Sequence, residues 1–454
     1  MNAPVTLAAS SAFGEAYFRD VATILDGLLV PGEFYTAWFR AEKSAFVRFN
    51  HGKVRQPGTV VQCYLDVDLA AGERHATHTL VLCGDHGRDQ AALASALGAL
   101  RAVLPTLAPD PHLLHATEVH SSRSVRGGPL PPAEAIVDEV LAAAGGLDFV
   151  GLYAGGPVAR GFANAHGQRN WHESTSFNLQ WSLYHRADKA VKSSLAGFAW
   201  DGAAFAARMR EAQAQLAVIA RPSRVLAPGS YRTFLAPAAM AELMETLAWD
   251  GFSARALATH QSSLARMQDP GGARLDPRVH LAESVADGTA PGFQSAGFIR
   301  PECVPLIADG RLVGALASPR TTREFGGKSN GANSQEMPDS LVMSGGDLAS
   351  ADALATLDTG LYVGNLWYLN YSDRPACRIT GMTRFATFWV DGGKIVAPVD
   401  VLRFDDTLFR MLGDNLAALT RETELHLNAN TYGERMLSSM NVPGALLADL
   451  AFTL

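Results

Sequence analysis

Short apolar runs that alternate with polar residues, separated by tight turns, are the feature that most constrains the fold of this chain. The run Ala45–Phe49 alternates in this way and is followed by a turn at Asn50-His51-Gly52. A second alternating run, Val61–Val67, precedes the turn at Ala71-Gly72. Alternation with a period of two is typical of half-buried strands, and strands joined by short turns pair antiparallel. The chain is therefore predicted to build antiparallel sheets.

Helical patterns lie between these strands. In the clearest of them, Pro237–Ala248, apolar residues recur at the spacing of one helical face. Six further helices are predicted at Phe13–Leu29, Gln90–Leu104, Glu134–Ala144, Gly202–Ala220, Leu348–Leu357 and Asp406–Thr420. Further strands are predicted at Asp148–Tyr153, Val158–Ala163, Thr175–Tyr184, Tyr231–Leu235, Leu361–Leu369, Thr383–Val390 and Lys394–Val399. This mixture indicates the α+β class, with antiparallel sheets and flanking helices.

The length of the chain indicates more than one domain. At 454 residues it exceeds what one ordinary core accommodates, so two domains are expected. The best boundary is Arg221-Pro222-Ser223, directly after a predicted helix. We therefore predict an N-terminal α+β domain over residues 1–222 and a C-terminal, mainly antiparallel-sheet domain over residues 223–454.

Charge and cysteine content restrict the class of protein. The formal net charge is −7 and no basic run stands out, which argues against nucleic acid as a partner. No apolar window is long enough to cross a membrane, and the N-terminal segment lacks the pattern of a signal peptide. The cysteines lie far apart, which favours a reducing compartment: Cys63, Cys83, Cys303 and Cys377. A cytoplasmic protein is expected.

The stretch Gly251–Met267 is the segment on which a catalytic interpretation depends. It is predicted to form a short helix with Ser253 as its N-cap and His260 within an apolar stripe. A zinc peptidase needs a glutamate beside the first histidine and a second histidine about one turn later. Here Gln261 follows the histidine, and Ala265 stands where the second histidine would be.

Several other patterns that suggest chemistry are each better explained without it. Gly327–Gly331 spells G-x-S-x-G, but polar loop rather than strand and helix flanks it. His112 and His115 could share a helical face with Glu118, although their segment is rich in proline. His172-Glu173 is interpreted as a surface or turn pair, and Cys377 as a strand-end cysteine.

A set of motifs, taken together in their order and spacing, gives the chain a family resemblance. Its main part is Gly360–Val363, followed by Ile379–Phe385, Phe388–Val390, Gly393–Ile395 and Pro398-Val399. Earlier segments fit the same pattern: Asn50–Val54, Val150–Tyr153, Phe162–Asn164, Ala227–Leu247 and Lys328–Gly331. In these segments the chain resembles the TldD/TldE (PmbA) family of peptidases, and the resemblance covers nearly the whole sequence.

The resemblance implies a dimer that encloses a chamber in which unfolded peptides are cut or trimmed. In TldD-type subunits an H-E-x-x-x-H helix and a cysteine near the C-terminus hold zinc, whereas TldE-type subunits lack these groups. Carried over to this chain, the motif leaves only His260, with Gln261 and Ala265 or Leu264 at the other positions. Residues 431–454 contain no cysteine.

The chain is therefore expected to be a TldE-like, non-catalytic subunit that holds no cofactor. Its expected partner is a zinc-containing TldD-like subunit, in a heterodimer, although self-association remains open. Peptide substrate is predicted to lie along the strand that carries Gly381, Thr383, Arg384 and Phe385. Two alternatives stay open: a peptidase active on its own, with a different metal set such as His260 together with His280 or Cys377, and a stand-alone peptide-binding protein.

Overall fold

A computed structural model describes residues 13–186 and 189–453 of the chain. The helices within these ranges are α1 Glu15–Leu28, α2 His86–Val103, α3 Ala133–Ala143, α4 Gly202–Ile219, α5 Pro237–Ala248, α6 Ala254–Ala258, α7 Pro319–Phe325 and α8 Ala353–Leu357. The strands are β1 Glu33–Asn50, β2 Lys53–Ala71, β3 Arg74–Val81, β4 Ser122–Arg126, β5 Asp148–Asn164, β6 Arg169–Arg186, β7 Lys189–Gly197, β8 Gly229–Leu235, β9 Leu281–Ser284, β10 Cys303–Ala308, β11 Arg311–Leu312, β12 Ser340–Met343, β13 Gly360–Asp373, β14 Arg378–Asp391, β15 Lys394–Pro398, β16 Arg403–Thr407, β17 Leu416–Leu427 and β18 Ser439–Phe452. The predicted α+β class is confirmed.

The first sheet has seven strands in the order β3-β2-β1-β5-β6-β4, with β7 also paired to β6. The predicted turn after β1 is confirmed: His51 and Gly52 have φ angles of 50° and 66°, as in a type I′ hairpin. The segments predicted as two strands at 148–153 and 158–163 are one strand, β5, which continues through Gly155 and Gly156. Strand β7 was not predicted.

The two faces of this sheet have different neighbours. The odd-numbered residues of β6, among them Phe177, Leu179 and Trp181, are buried with residues of α3 and α4 in one core. Helices α1 and α2 cover the other end of the same face through residues such as Phe18 and Leu93. The even-numbered residues of β6 are polar and nevertheless buried: Asn170, His172, Ser174, Ser176 and Asn178.

The second sheet has eleven strands in the order β11-β10-β9-β12-β18-β16-β14-β13-β8, with β15 on β14 and β17 on β18. Strand β8 pairs parallel with β13 and antiparallel with β18, so β18, β16, β14, β13 and β8 form a closed ring. Helix α5 packs on β13, β18 and β17. Its predicted apolar face is buried at Met240, Leu243, Met244 and Leu247.

The prediction of a helix at Asp406–Thr420 is wrong. The segment contains the end of β16, one π-helical turn at Arg410–Asp414 and the start of β17. The apolar residues have helical spacing, but Gly413 has φ −110° and ψ −113°, which breaks the turn. Leu416 then pairs with Leu447 of β18, so sheet pairing replaces the local helical preference.

Buried polar contacts join the first sheet to the second half of the chain. His172, predicted to be a surface or turn residue, is 1% exposed in β6, so that prediction is wrong. Its Nε2 lies 2.8 Å from the carbonyl oxygen of Thr289, and its Nδ1 lies 2.8 Å from Ser124 Oγ. Arg435 donates to the carbonyl oxygens of Gly156 and Ser176, at 3.0 Å each. The polar face of β6 is therefore an internal surface.

All strands of the first sheet precede residue 198, and all strands of the second follow residue 228. The predicted boundary near residue 222 lies between them, and the division into two domains stays a prediction. Of the N-terminal segment judged not to be a signal peptide, residues 1–12 lie outside the described part. No helix of the described ranges is both long and apolar enough to cross a membrane.

Candidate functional site

The stretch Gly251–Met267 is not one helix, contrary to the prediction. Helix α6 covers only Ala254–Ala258, although Ser253 is its N-cap as predicted. The helix ends because His260 adopts a left-handed conformation, with φ 55°, at a position after the helix where glycine is usual. His260 is therefore exposed, and the prediction that it lies in an apolar stripe is wrong.

The positions of the degenerate zinc motif do not form a metal site. Gln261 is exposed, and Ala265 begins a 3₁₀ turn, so neither supplies a ligand beside His260. Zinc sites in proteins use at least three protein ligands. Among residues 13–186 and 189–453, no group of three or more histidine, cysteine, aspartate or glutamate side chains is placed to hold a metal ion. These residues do not fit zinc.

The other residues considered as metal ligands have ordinary surroundings. Cys377 is fully buried, and this burial raises the pKa of its thiol to about 12, so the thiol stays protonated. His280 is partly exposed, with its Nε2 3.8 Å from a carboxylate oxygen of Asp309. Ser329 of the G-x-S-x-G sequence donates to the carbonyl oxygen of Ala317 from a loop, so it is not a nucleophile elbow.

A cavity of about 780 Å³ lies where the two halves of the chain meet. The first half contributes β7 and α4 to its wall, and the second half contributes α5, β13, β17 and residues 428–430. Its charged lining residues are Lys192, Arg208, Glu211, Glu242, Glu245, Glu422 and Glu424, with His426 beside them. Five glutamates against one lysine and one arginine make this an acidic cavity.

Some of these charges are neutralised or fixed by neighbours within the protein. Arg208 pairs with Glu424 at 2.6 Å between guanidinium nitrogen and carboxylate oxygen. Glu422 accepts from the backbone nitrogen and the hydroxyl of Ser350, at 2.7 and 2.8 Å, and these bonds hold the pKa of its carboxyl low. The side chain of Glu242 has no hydrogen bond or ion pair to any described residue.

The cavity also shifts the protonation of groups in its wall. Burial raises the pKa of the Glu242 carboxyl, the charge of Lys192 opposes this shift, and the charge of Glu245 adds to it. Burial lowers the pKa of His426, so its imidazole is neutral at neutral pH. Buried groups with shifted pKa values around a cavity are typical of functional sites. This cavity is the candidate functional site.

The residues predicted to bind peptide lie outside the cavity wall. Gly381 and Thr383 are buried in β14, and the Thr383 hydroxyl accepts from the backbone nitrogen of Leu402 at 3.0 Å. The guanidinium of Arg384 lies 4.0 Å from the ring centre of Trp367 and 5.1 Å from that of Phe385. Their role in peptide binding stays a prediction.

The residues that line the cavity were not identified from the sequence. Glu242 and Glu245 are on the polar side of α5, whose apolar face had been recognised. His426 and Glu424 fall in β17, which begins inside a segment predicted to be helical. Two glutamates three apart beside a clean apolar face are the one local signal that could have indicated them.

Comparison with known proteins places this arrangement among related folds. Residues 228–453, about half of the chain, match the family model described as the PmbA/TldA metallopeptidase C-terminal domain. A search of curated protein sequences finds no match. The family model thus covers all strands of the second sheet.

Solved structures extend the likeness to the whole chain. TldE from Thermococcus kodakarensis is 13% identical, with a TM-score of 0.76 over 96% of this chain and 99% of that one. A proposed modulator of DNA gyrase from Thermotoga maritima MSB8 is 12% identical, with a TM-score of 0.72 over 97% and 100%. Another, from Bacteroides thetaiotaomicron VPI-5482, is 14% identical, with a TM-score of 0.73 over 97% and 99%. At these identities the likeness shows a shared fold.

Proposed function

Because the chain belongs to the TldD/TldE (PmbA) family, we propose that it is the non-catalytic, TldE-like subunit of a zinc metallopeptidase. Its partner would be a TldD-like subunit that carries the H-E-x-x-x-H motif and the zinc. Together they would cut or trim unfolded peptides in the cytoplasm. This chain would form part of the peptide chamber and supply no catalytic group.

The observation that carries this proposal is the state of the stretch Gly251–Met267. The resemblance puts the metal motif here, and the chain offers a single exposed imidazole, His260, on a turn. Gln261 cannot take a proton from a metal-bound water near neutral pH, because an amide is not a base in this range. The buried, protonated thiol of Cys377 does not replace the missing ligands.

The cavity between the two halves supports a role in handling peptide. Clefts of this size between domains are common ligand sites, and both halves contribute polar groups to its wall. Extended peptides bind sheet proteins through main-chain hydrogen bonds, which tolerate many sequences. A subunit with a polar cavity of this kind can therefore hold substrate for a catalytic partner.

The proposal is tested by purifying this chain alone and with a TldD-like chain from the same source. We expect the chain alone to hold far less than one zinc per molecule and to leave unfolded peptides intact. The two chains together should form a heteromer that hydrolyses them. As a control, the motif glutamate of the partner is changed to glutamine, which should abolish hydrolysis and leave assembly intact.

Two results would contradict the proposal. Stoichiometric zinc and hydrolysis in the chain alone, lost on His260→Ala, would show a peptidase with its own metal site. Failure to assemble with any TldD-like chain, with peptide still bound, would show a stand-alone peptide-binding protein.

A further inference from the structure

Three polar side chains at the wall of the cavity have no partner within the described ranges. Asn365, on β13, is 6% exposed and lines the cavity, and its amide bonds to no other described side chain or backbone group. His426 Nε2 is buried and also unpartnered. The Glu242 carboxylate, on α5, is partly buried and likewise unpaired. Of these groups, His426 Nε2 is the one closed off from solvent, and buried polar atoms in proteins are normally hydrogen-bonded, so it needs an explanation.

The three groups can each accept a hydrogen bond, so together they suit a ligand that donates several, such as a protonated nitrogen. A carboxylate and the side-chain oxygen of an asparagine both accept hydrogen bonds, and a neutral imidazole has one nitrogen that accepts. They lie on three different elements, α5, β13 and β17, and α5 packs against both strands. Groups on separate elements therefore converge on one space.

The charges that remain unpaired favour the same partner. After Arg208 has paired with Glu424, Lys192 is the remaining cation among the lining residues. Lys192 acts on the Glu242 carboxylate, and the lining as a whole carries five glutamates against two cations, so the cavity keeps a negative potential. Low-dielectric walls strengthen such a potential and select ligands of opposite charge.

We propose that this cavity binds a protonated nitrogen of the peptide, with Glu242 as the charged acceptor and Asn365 and His426 as neutral acceptors. The nitrogen is either the free α-amino group or the side chain of a lysine or arginine. This inference rests on the proposed role of the chain in handling peptides. It adds a substrate class: peptides that present a positive charge.

The first test measures binding of short extended peptides, labelled with a fluorophore at the C-terminus, to the full chain by fluorescence anisotropy. Four peptides differ only in charge: the N-terminus is free or acetylated, and one position is lysine or norleucine. The peptide without either charge should bind at least about tenfold more weakly, because charge-assisted hydrogen bonds are lost. If acetylation alone weakens binding, the bound nitrogen is the α-amino group. If replacement of lysine by norleucine alone weakens binding, it is the side-chain nitrogen.

The second test locates the binding. Glu242→Gln keeps the shape of the side chain and removes its charge. It should weaken binding of the charged peptide by about tenfold and change binding of the uncharged peptide little. Asn365→Leu, which removes the amide oxygen, should act in the same direction. Glu302→Gln makes the same charge change at an exposed position outside the cavity wall and should leave binding unchanged.

Equal binding of charged and uncharged peptides, or an unchanged affinity in Glu242→Gln, would overturn the inference, and so would the absence of any peptide binding. These outcomes are separable from failure of the proposed function, because the measurements need neither zinc nor a partner. A chain that binds charged peptides through Glu242 but never assembles with a TldD-like subunit would keep this inference and lose the other.

Discussion

His172 provides a quantitative test of how the two halves are joined. Its imidazole projects from β6 and is buried between Ser124 of β4 and the carbonyl oxygen of Thr289. That carbonyl can only accept, so Nε2 carries a proton, and Nδ1 accepts from the Ser124 hydroxyl. Burial lowers the pKa of His172 from 6.5 to about 4 in the folded protein. The neutral ring therefore satisfies both contacts.

The pH dependence follows from this shift. Between its unfolded pKa of 6.5 and its folded pKa of about 4, the unfolded chain binds a proton at this residue and the folded chain does not. The contribution of His172 to stability is therefore fully present above the unfolded pKa and is lost as pH falls through this window. From about pH 7 to about pH 5 the loss due to His172 is about 2 kcal/mol.

The assay compares urea unfolding at these two pH values in the wild type and in His172→Gln, followed by tryptophan fluorescence. The glutamine amide retains a donor for Thr289 but does not titrate, so the variant should lose about 2 kcal/mol less than the wild type on acidification. His260→Gln removes an exposed histidine and should keep the full wild-type loss. If His172→Gln loses as much stability as the wild type, the buried neutral imidazole is refuted.

Three further substitutions test other parts of the structure. Arg435→Ala leaves buried carbonyl groups of the first sheet unpaired and should lower the free energy of unfolding by about 3 kcal/mol in urea titrations. An unchanged unfolding midpoint would contradict the hydrogen bonds of Arg435 to these carbonyl groups. Gly297→Ala would place Cβ 2.4 Å from Phe162 Cζ at a φ of 89°, so calorimetry should show a loss of more than about 2 kcal/mol. Gly271→Ala, at positive φ but in open space, should cost only about 1 kcal/mol and serves as its control. His260→Gly should raise the melting temperature through a gain of about 0.5 kcal/mol, whereas a loss would place the imidazole in a packed site.

Elements fixed by local chemistry could be predicted from the sequence. Helix α5 begins and ends where the pattern placed it, because proline starts it and a full apolar face packs on the sheet behind. The hairpin at His51-Gly52 follows from the positive φ angles of its turn. In β6 the alternation of Phe177, Leu179 and Trp181 with polar residues identified the face that the helices cover.

The opposite face of β6 shows where such reasoning ends. Its polar residues suggest contact with water, yet the second half of the chain buries them. Thr289, whose carbonyl oxygen contacts His172, is 117 residues away along the chain. Arg435, which donates to Ser176 Oγ, is 259 residues away. A period of two tells which residues share a face, and it cannot tell whether water or another domain covers that face.

Two helical patterns failed, one at a local left-handed turn and one where sheet pairing outweighed a weak local preference. In the stretch Gly251–Met267, His260 takes a left-handed conformation and the chain turns back on itself. In the segment Asp406–Thr420, pairing of β17 with β18 replaces the helix. Helix propensities differ by less than about 1 kcal/mol per residue for most residue types, so a few sheet hydrogen bonds reverse them.

The cavity was beyond sequence reasoning for a different reason. Glu242, Asn365 and His426 are each unremarkable on their own element, and the site exists only where α5 packs across β13 and β17. An unpaired buried polar group costs about 1–3 kcal/mol, against a total stability of about 5–15 kcal/mol for a typical domain. An apolar residue in place of His426 would avoid that cost, because its Nε2 is the lining atom that is buried without a partner. A polar group kept at this place is therefore better explained by a ligand than by the stability of the fold.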